Sequence, residues 1–260
     1  MTVNLAATEY GEGEPVAIAH GVFGSARNWA SIAQRLAARH RVIAFDLRNH
    51  GASPWADTMS YPAMAEDVRA AMAARGHRRF AVIGHSMGGK VAMTLALSEP
   101  ASVERLVVVD IGPMAAPAPF LDHIQAMRAL DLAKVIRRRD ADAGLAPAIP
   151  DPATRAFLLQ SLVFGDGAPR WQLNLAALEA ALPAIGGFPE FSSGTHHDGP
   201  TLFIAGGKSN LLPPDAEPAI RAFFPHAAIE RIADAGHWVH AEQPAAFLTL
   251  VEPFLAADAD

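Results

Sequence analysis

The stretch GHSMG, residues Gly84 to Gly88, carries a serine that could act as a nucleophile. It lies between the strand-like segment RFAVI and the helix-like segment GKVAMTLAL. A serine at the apex of a sharp strand-to-helix turn has a strained backbone, and glycine two residues before and after it lets the neighbouring chain approach without side-chain clashes. The pattern predicts an exposed, nucleophilic Ser86, with a glycine-rich packing turn as the alternative.

A serine hydroxyl needs a base to take its proton, so one of the 11 histidines must approach Ser86. His237 lies in ADAGHWVHAEQP, after the last strand-like run, where it satisfies the chain order serine, acid, histidine. We expect His85 to point away from the serine and His240 to begin a helix or lie on the surface. The adjacent histidines at 196–197 lack a nearby third ligand, so we expect exposed loop residues and no metal site.

The stretch HGVFGS, residues 20–25, follows the first strand-like run and could hold negative charge. A loop in this position can aim a backbone N–H at a developing oxyanion, together with the N–H of the residue after the nucleophile. We therefore predict Val22 and Met87 as the two oxyanion donors. An ordinary glycine-containing turn between strand and helix is the alternative for this loop.

These residues need a fold that brings their segments together. Short runs rich in Val and Ile, such as VAIAHG, RVIAFD, RFAVIGHS and RLVVVDIG, are typical of parallel strands buried on both faces. Between them lie Ala-rich amphipathic segments whose length suits crossover helices, including ASIAQRLAARH and MAEDVRAAMAARG. The alternation predicts an α/β fold with a mostly parallel, doubly wound sheet.

This alternation stops after Asp110. Helix-like pieces such as FLDHIQAMRALDLAKVIRRR and NLAALEAALPAI then follow, separated by proline and glycine clusters. Strand-like runs return only at TLFIAGG and AAIERIADAGH. We predict a core domain of residues 1–112 and 199–260, with residues 113–198 inserted as a helical cap.

Composition and charge exclude several classes of function. The chain has 260 residues, of which 51% are hydrophobic and 18% charged, so it can bury a large globular core. A net charge of −6 without a basic stripe argues against nucleic-acid binding. The absence of cysteine excludes disulfides and a thiol nucleophile. No apolar run approaches the roughly 18 residues of a membrane span, and the amino terminus lacks a basic start followed by an apolar stretch, so we expect a cytoplasmic protein.

Six motifs together carry a resemblance to a known family: HGVFGSARNW, FDLRNHGASP, GHSMGGKVAM, VVVDIGP, WQLNL and AGHWVHAEQP. Over almost its whole length the chain resembles the α/β-hydrolase superfamily. The narrower patterns DLRNHGxSP, GHSMGGK and VDIxP resemble the branch of YbfF-type esterases and abhydrolase domain-containing protein eleven. The resemblance implies a capped α/β-hydrolase fold and a cofactor-free hydrolase of small-molecule acyl esters or thioesters.

The acid that orients the histidine is where the chain departs from most of that superfamily. The usual position is the loop after TLFIAGG, which here holds Lys208, Ser209 and Asn210. Asp110 ends RLVVVD, and a carboxylate there could reach the histidine from a neighbouring strand end. The YbfF-like branch resembles this chain in its earlier acid and its later serine, so Ser209 could bond to the acid–histidine pair. Asp215 remains the rival acid, and a helix N-cap is a further role open to Asp110.

The predicted triad is thus Ser86, His237 and Asp110. Large apolar side chains near the expected sheet edge or in the insertion are candidates for pocket walls that favour an acyl chain. These are Phe23, Phe120, Trp171, Phe188, Leu211 and Trp238. Two other classes stay open: a C–C bond hydrolase or perhydrolase with the same residues, and a non-catalytic ligand-binding receptor, against which retention of the whole triad argues.

Overall fold

Runs that are apolar at successive positions form the strands of the central sheet. The structure, a computed structural model, describes residues 1–116 and 120–256, so residues 117–119 of the predicted insertion and 257–260 of the predicted core lie outside it. The strands are β1 (Ala7–Tyr10), β2 (Glu14–Ala19), β3 (His40–Phe45), β4 (Phe80–His85), β5 (Val103–Val109), β6 (Leu162–Gly165), β7 (Gly167–Trp171), β8 (Thr201–Gly206) and β9 (Ala228–Ile232). All six residues of β4 and all six of β8 are buried, as expected for strands covered on both faces.

Seven of the strands form one sheet in the order β1-β3-β2-β4-β5-β8-β9. Every neighbouring pair is parallel except β1 and β3, which are antiparallel. The predicted mostly parallel sheet is confirmed, but the edge strand β1 was not predicted. Its sequence ATEY has little apolar character and is only partly buried, because an edge strand is held mainly by its backbone hydrogen bonds.

Helices cover both faces of this sheet. They are α1 (Ala30–Leu36), α2 (Tyr61–Ala74), α3 (Met87–Ser98), α4 (Phe120–Ala129), α5 (Arg138–Leu145), α6 (Pro152–Leu158), α7 (Leu175–Gly186), α8 (Glu217–Phe223), α9 (Val239–Glu242) and α10 (Pro244–Ala256). Val16 and Ile18 of β2 pack with α1 and α10, whereas the alternate residue Ala17 faces the core that contains α2 and α3. The period of two along β2 therefore divides the interior into two layers. Among the described residues, no helix has both the length and the apolar character needed to cross a membrane.

The segment 113–198 connects β5 to β8 and lies outside the main sheet. All seven strands of that sheet precede residue 113 or follow residue 198. The segment contains α4 to α7, as its helix-like pieces predict, and also the antiparallel hairpin of β6 and β7. The hairpin was not predicted, because its two strands are short and glycine lies beside its turn at Gly165 and Gly167.

A buried ion pair fixes the loop that follows β3. The guanidinium of Arg48 donates to both carboxylate oxygens of Asp67 on α2, at 2.6 and 2.8 Å, and both side chains are fully buried. Arg48 also donates to the carbonyl oxygen of Thr58 at 2.8 Å, and Asp67 accepts the backbone N–H of Val3 at 2.8 Å. The pair therefore ties this loop to α2, and the charged groups of both side chains have the hydrogen-bond partners that burial requires.

Replacing Asp67 with Ala should lower the free energy of unfolding by about 3–5 kcal/mol, because it leaves the Arg48 guanidinium buried without its counter-ion. The neighbouring Glu66 offers a matched control, since it pairs with Arg69 on the exposed face of α2. Glu66→Ala should lower the free energy of unfolding by less than about 1 kcal/mol. Urea denaturation followed by circular dichroism measures both values, and equal losses in the two variants would contradict the assignment.

Candidate active site

Ser86 occupies a sharp turn between β4 and α3. Its backbone has φ 52° and ψ −119°, a left-handed φ that non-glycine residues rarely adopt. The turn is closely packed: a Cβ added to Gly84 would lie 2.1 Å from the carbonyl oxygen of Gly88, and one added to Gly88 would lie 2.2 Å from that of Ala19. Glycine is therefore required at both positions, as the sequence predicts. Ser86 lies at the carboxyl end of β4 and lines a cavity, but it is buried rather than exposed as predicted.

Asp110 follows β5 directly and is fully buried, also with a left-handed φ of 51°. Its carboxylate Oδ1 accepts the backbone N–H of Gly206 at 2.8 Å, and its Oδ2 accepts the hydroxyl of Ser209. The same Oδ2 lies 2.8 Å from Nδ1 of His237. A carboxylate partner assigns the ring proton to Nδ1, which leaves Nε2 of His237 as a proton acceptor.

The four loops that carry this site leave four successive strands of the sheet. Ser86 follows β4, Asp110 follows β5, Ser209 follows β8 and His237 follows β9. Parallel strands present their carboxyl ends at one edge, so residues distant in sequence meet there. The rival acid Asp215 is solvent-exposed in a short 3-10 helix, Pro214–Ala216, while Asp110 bonds to the histidine.

Two residues that the sequence did not single out for this role hold the histidine loop. Nε2 of His85 lies 2.8 Å from the carbonyl oxygen of His237, and the two rings have centroids 4.5 Å apart. Burial, followed by the nearby His237 ring, holds the pKa of His85 well below its ordinary value, so the ring is neutral and donates through Nε2–H. The carboxylate of Glu242 on α9 accepts the backbone N–H groups of Gly236 and Trp238 at 2.7 and 3.1 Å. His237 is therefore bracketed by hydrogen bonds on both sides of its backbone.

The loop after β2 brings Val22 to the same edge. Phe23 has a left-handed φ of 63°, and its N–H donates to Nε2 of His50 at 3.2 Å. The other ring nitrogen of His50 lies 2.9 Å from the carbonyl oxygen of Arg48, so the buried ion pair and this loop are linked. Met87 is the first residue of α3, where backbone N–H groups have no acceptor within the helix. Its amide is thus available at the turn that carries the serine.

A cavity of about 320 Å³ lies over these residues, within the usual size range for a small-molecule site. Most of the predicted site residues line it: Val22, Phe23, Ser86, Phe120, Ser209, Leu211, His237 and Trp238. Met87 instead lines a smaller recess that shares Ser86, Phe120 and Leu211 with the cavity. His123, Thr154, Phe157, Leu158 and Lys208 also line the cavity and were not predicted. They come from α4, α6 and a loop whose positions over the sheet no local pattern specifies.

Two predicted pocket residues lie elsewhere. Trp171 is buried in the packing between β7 and α4, where its indole N–H donates to the carbonyl oxygen of Met127 at 3.1 Å. Phe188 packs against Phe191 and Phe223, with ring centroids 5.9 and 5.8 Å away. Both side chains belong to apolar packing within the insertion or beneath it, not to the cavity wall.

Of the other histidine predictions, one holds and one is wrong. His240 lies in the first turn of α9, which is one of its two expected positions; it is buried, and its ring stacks on that of Trp29 with centroids 3.9 Å apart. His197 was expected to be exposed but is buried, while its neighbour His196 is exposed and pairs with Asp198 at 3.2 Å. Residues 1–116 and 120–256 contain no cluster of three or more side chains suited to hold a metal ion.

A parallel sheet whose carboxyl edge carries a serine turn beside a histidine–carboxylate pair is the architecture of the α/β-hydrolase class of enzymes. Residues 14–244 match the family model described as alpha/beta hydrolase fold. The chain belongs to this family.

The relatives specify a branch of the family. The chain is 41% identical to the sn-1-specific diacylglycerol lipase ABHD11 of Danio rerio, over 94% of its own length and 79% of the relative's. It is 36% identical to esterase YbfF of Escherichia coli, over 93% and 92% of the two chains. A solved structure titled marine microorganism esterase superposes with a TM-score of 0.92 at 35% identity and covers 98% of this chain and 100% of that one. The predicted branch is confirmed, and the protein is an ester hydrolase of the α/β-hydrolase fold.

The buried histidines around the site should make stability depend on pH. Desolvation lowers the pKa of His20 to about 4, and that of His50 and His240 to about 3. In the unfolded chain these rings titrate near their ordinary pKa of about 6.5. Between these limits the unfolded chain binds more protons than the folded one, so the free energy of unfolding falls as the pH is lowered from 7 to 5.

Urea denaturation at several pH values between 7 and 5 measures this slope, to which each ring contributes up to about 1.4 kcal/mol per pH unit. The variant His240→Phe keeps a ring against Trp29 but cannot titrate, so its slope should be shallower. A stability that stays constant from pH 7 to 5 in the unmodified protein would contradict the prediction.

Proposed function

We propose that the protein cleaves acyl esters or thioesters through an acyl-enzyme on Ser86, with His237 as base and Asp110 as the orienting acid. The proposal is carried by the 2.8 Å contact between Nδ1 of His237 and the buried Asp110 carboxylate, beside a cavity that Ser86 also lines. This pairing sets the imidazole tautomer that leaves Nε2 free to take the serine proton.

The reaction then proceeds in two halves. Ser86 Oγ attacks the substrate carbonyl carbon while Nε2 of His237 takes its proton, and the backbone N–H groups of Val22 and Met87 bind the oxyanion. The tetrahedral intermediate collapses as Nε2–H protonates the leaving alcohol or thiol. Water then attacks the acyl-enzyme by the same steps, and Asp110 stabilises the imidazolium each time.

Ser209 completes the surroundings of the acid. Its hydroxyl donates to the same carboxylate oxygen that faces His237, and its Oγ accepts the backbone N–H of Leu211 at 3.2 Å. We propose that Ser209 positions the Asp110 carboxylate, because an oxygen bonded from two directions cannot rotate away from the imidazole.

The cavity wall supports an acyl chain as the bound group. Phe23 and Phe120 meet edge to face with ring centroids 5.6 Å apart. The rings of Phe157 and Trp238 have centroids 5.0 Å apart. In each pair one ring comes from the core and the other from the segment 113–198, so this segment acts as the cap of the site. The names of the relatives, an esterase and a diacylglycerol lipase, agree with an acyl substrate.

Replacing Ser86 with Ala should lower kcat for ester hydrolysis by at least about 10⁴-fold, since no other group can form the acyl-enzyme. Labelling by a fluorophosphonate should also be lost. Ser98, on the same helix but exposed at its far end, gives the matched control, and Ser98→Ala should keep full activity and labelling. Retention of either property by a pure, folded Ser86→Ala protein would exclude this serine as the nucleophile.

Replacing Asp110 with Asn should lower kcat by about 10⁴-fold with little change in KM, because the amide can stabilise the wrong imidazole tautomer. The exposed Asp215 serves as the control. Asp215→Asn should lower kcat by less than about tenfold, since a distant surface charge is screened. Steady-state rates on one short-chain ester, in protein whose folding is checked by circular dichroism, measure both. The opposite ranking would assign the acid to the later loop.

A further inference from the structure

A buried lysine on the helix that follows the serine holds the end of the cap. Lys90 lies on the first turn of α3, four residues after Ser86, and is only 1% exposed. Its ammonium donates to the carbonyl oxygens of Gly186 and Gly187 at 3.1 and 2.6 Å. These carbonyls belong to the last residue of α7 and to the residue after it. A cation at this place also complements the negative end of the α7 dipole.

A tyrosine from the core makes a second connection beside it. The hydroxyl of Tyr61, the first residue of α2, donates to the carbonyl oxygen of Ile185 at 2.6 Å. The Lys90 ammonium lies 5.8 Å from the centroid of the Tyr61 ring, within cation–π distance. Three successive carbonyls at the end of α7 therefore have donors from two helices of the core. We call this arrangement, Tyr61 and Lys90 on residues 185–187, the α7 clamp.

The α7 clamp forms the inner wall of the recess beside the nucleophile. The recess measures about 20 Å³, and its lining includes Tyr61, Lys90 and Ile185 together with Ser86 and Met87. A space of this size holds about one water molecule. The recess lies beside the 320 Å³ cavity, and Ser86, Phe120 and Leu211 line both spaces. Tyr61, Lys90 and Ile185, each less than 5% exposed, thus separate the recess from solvent on the side of the clamp.

Apolar packing alone does not account for a lysine at this position. A methionine or leucine would fill similar space without the cost of burying an ammonium group. That cost is visible in the pKa of Lys90, which burial lowers to about 8. What the ammonium supplies, and an apolar side chain cannot, is two hydrogen bonds to the end of α7.

We propose that Lys90 is a specificity-determining residue that limits acyl chain length by fixing the end of α7 across the inner end of the site. This inference rests on the proposed serine-hydrolase function. With the α7 clamp in place, a chain that extends past Ser86 on the Met87 side meets a closed wall. Without it, the recess joins the space that the lysine side chain occupied, and longer chains fit.

The test compares kcat/KM for a series of p-nitrophenyl esters with four to twelve acyl carbons. Lys90→Ala should raise the ratio of the twelve-carbon to the four-carbon ester by about tenfold, chiefly through a lower KM for the long ester. Lys90→Met keeps most of the volume but loses both hydrogen bonds, so its ratio should rise by about threefold. Lys134→Ala is the matched control, because Lys134 is an exposed lysine that pairs with Asp131 outside the α7 clamp, and its ratio should stay unchanged.

Fluorophosphonate labelling separates this inference from the proposed function. A folded Lys90→Ala protein that labels normally and keeps the original chain-length ratio overturns the role of Lys90 and leaves the serine mechanism intact. Failure of the unmodified protein to label or to hydrolyse any ester overturns the mechanism itself. If Lys90→Ala does not fold, Tyr61→Phe removes only the second donor of the α7 clamp. It should raise the ratio by about threefold, and an unchanged ratio there also overturns the inference.

Discussion

The buried carboxylate of Asp110 is the constraint on which the geometry of the site depends. Its two oxygens are bonded by Gly206 at the end of β8, by Ser209 in the loop after β8, and by His237 in the loop after β9. A carboxylate with no exposure to water is tolerated only when such donors are present. The need to satisfy one small group therefore fixes two loops at once, and the site behaves as one unit rather than as three separate side chains.

The same requirement explains why part of the site could be predicted from sequence and part could not. Ser86 is specified locally, because two glycines and a strand-to-helix change surround it, and the strands are specified by continuous apolar runs. The choice between Asp110 and Asp215 depends on which strand ends are neighbours, which spacing along the chain does not give. Their placement now differs sharply, since one carboxylate is buried against the histidine and the other faces solvent.

The errors in the predicted pocket have one physical origin. Large apolar residues serve equally well as core and as cavity wall, and only the path of the segment 113–198 over the sheet separates the two roles. Trp171 is turned towards α4, whereas Phe157, which no motif marks, lines the cavity and packs against Trp238. Local patterns likewise left out the edge strand β1, whose contribution is backbone pairing with β3. Interactions between segments decided each of these cases.

The position of the segment 113–198 in the chain has a consequence for how the protein can diversify. It leaves the sheet directly after the strand of Asp110 and returns at β8, and β5 and β8 are adjacent and parallel. Parallel neighbours require a long connection in any case, and lengthening such a connection adds little entropic cost. The segment can therefore change in length while the register of the two strands stays the same. A change in the part of the cavity wall that this segment supplies therefore need not move Ser86, Asp110 or His237, which all lie outside it.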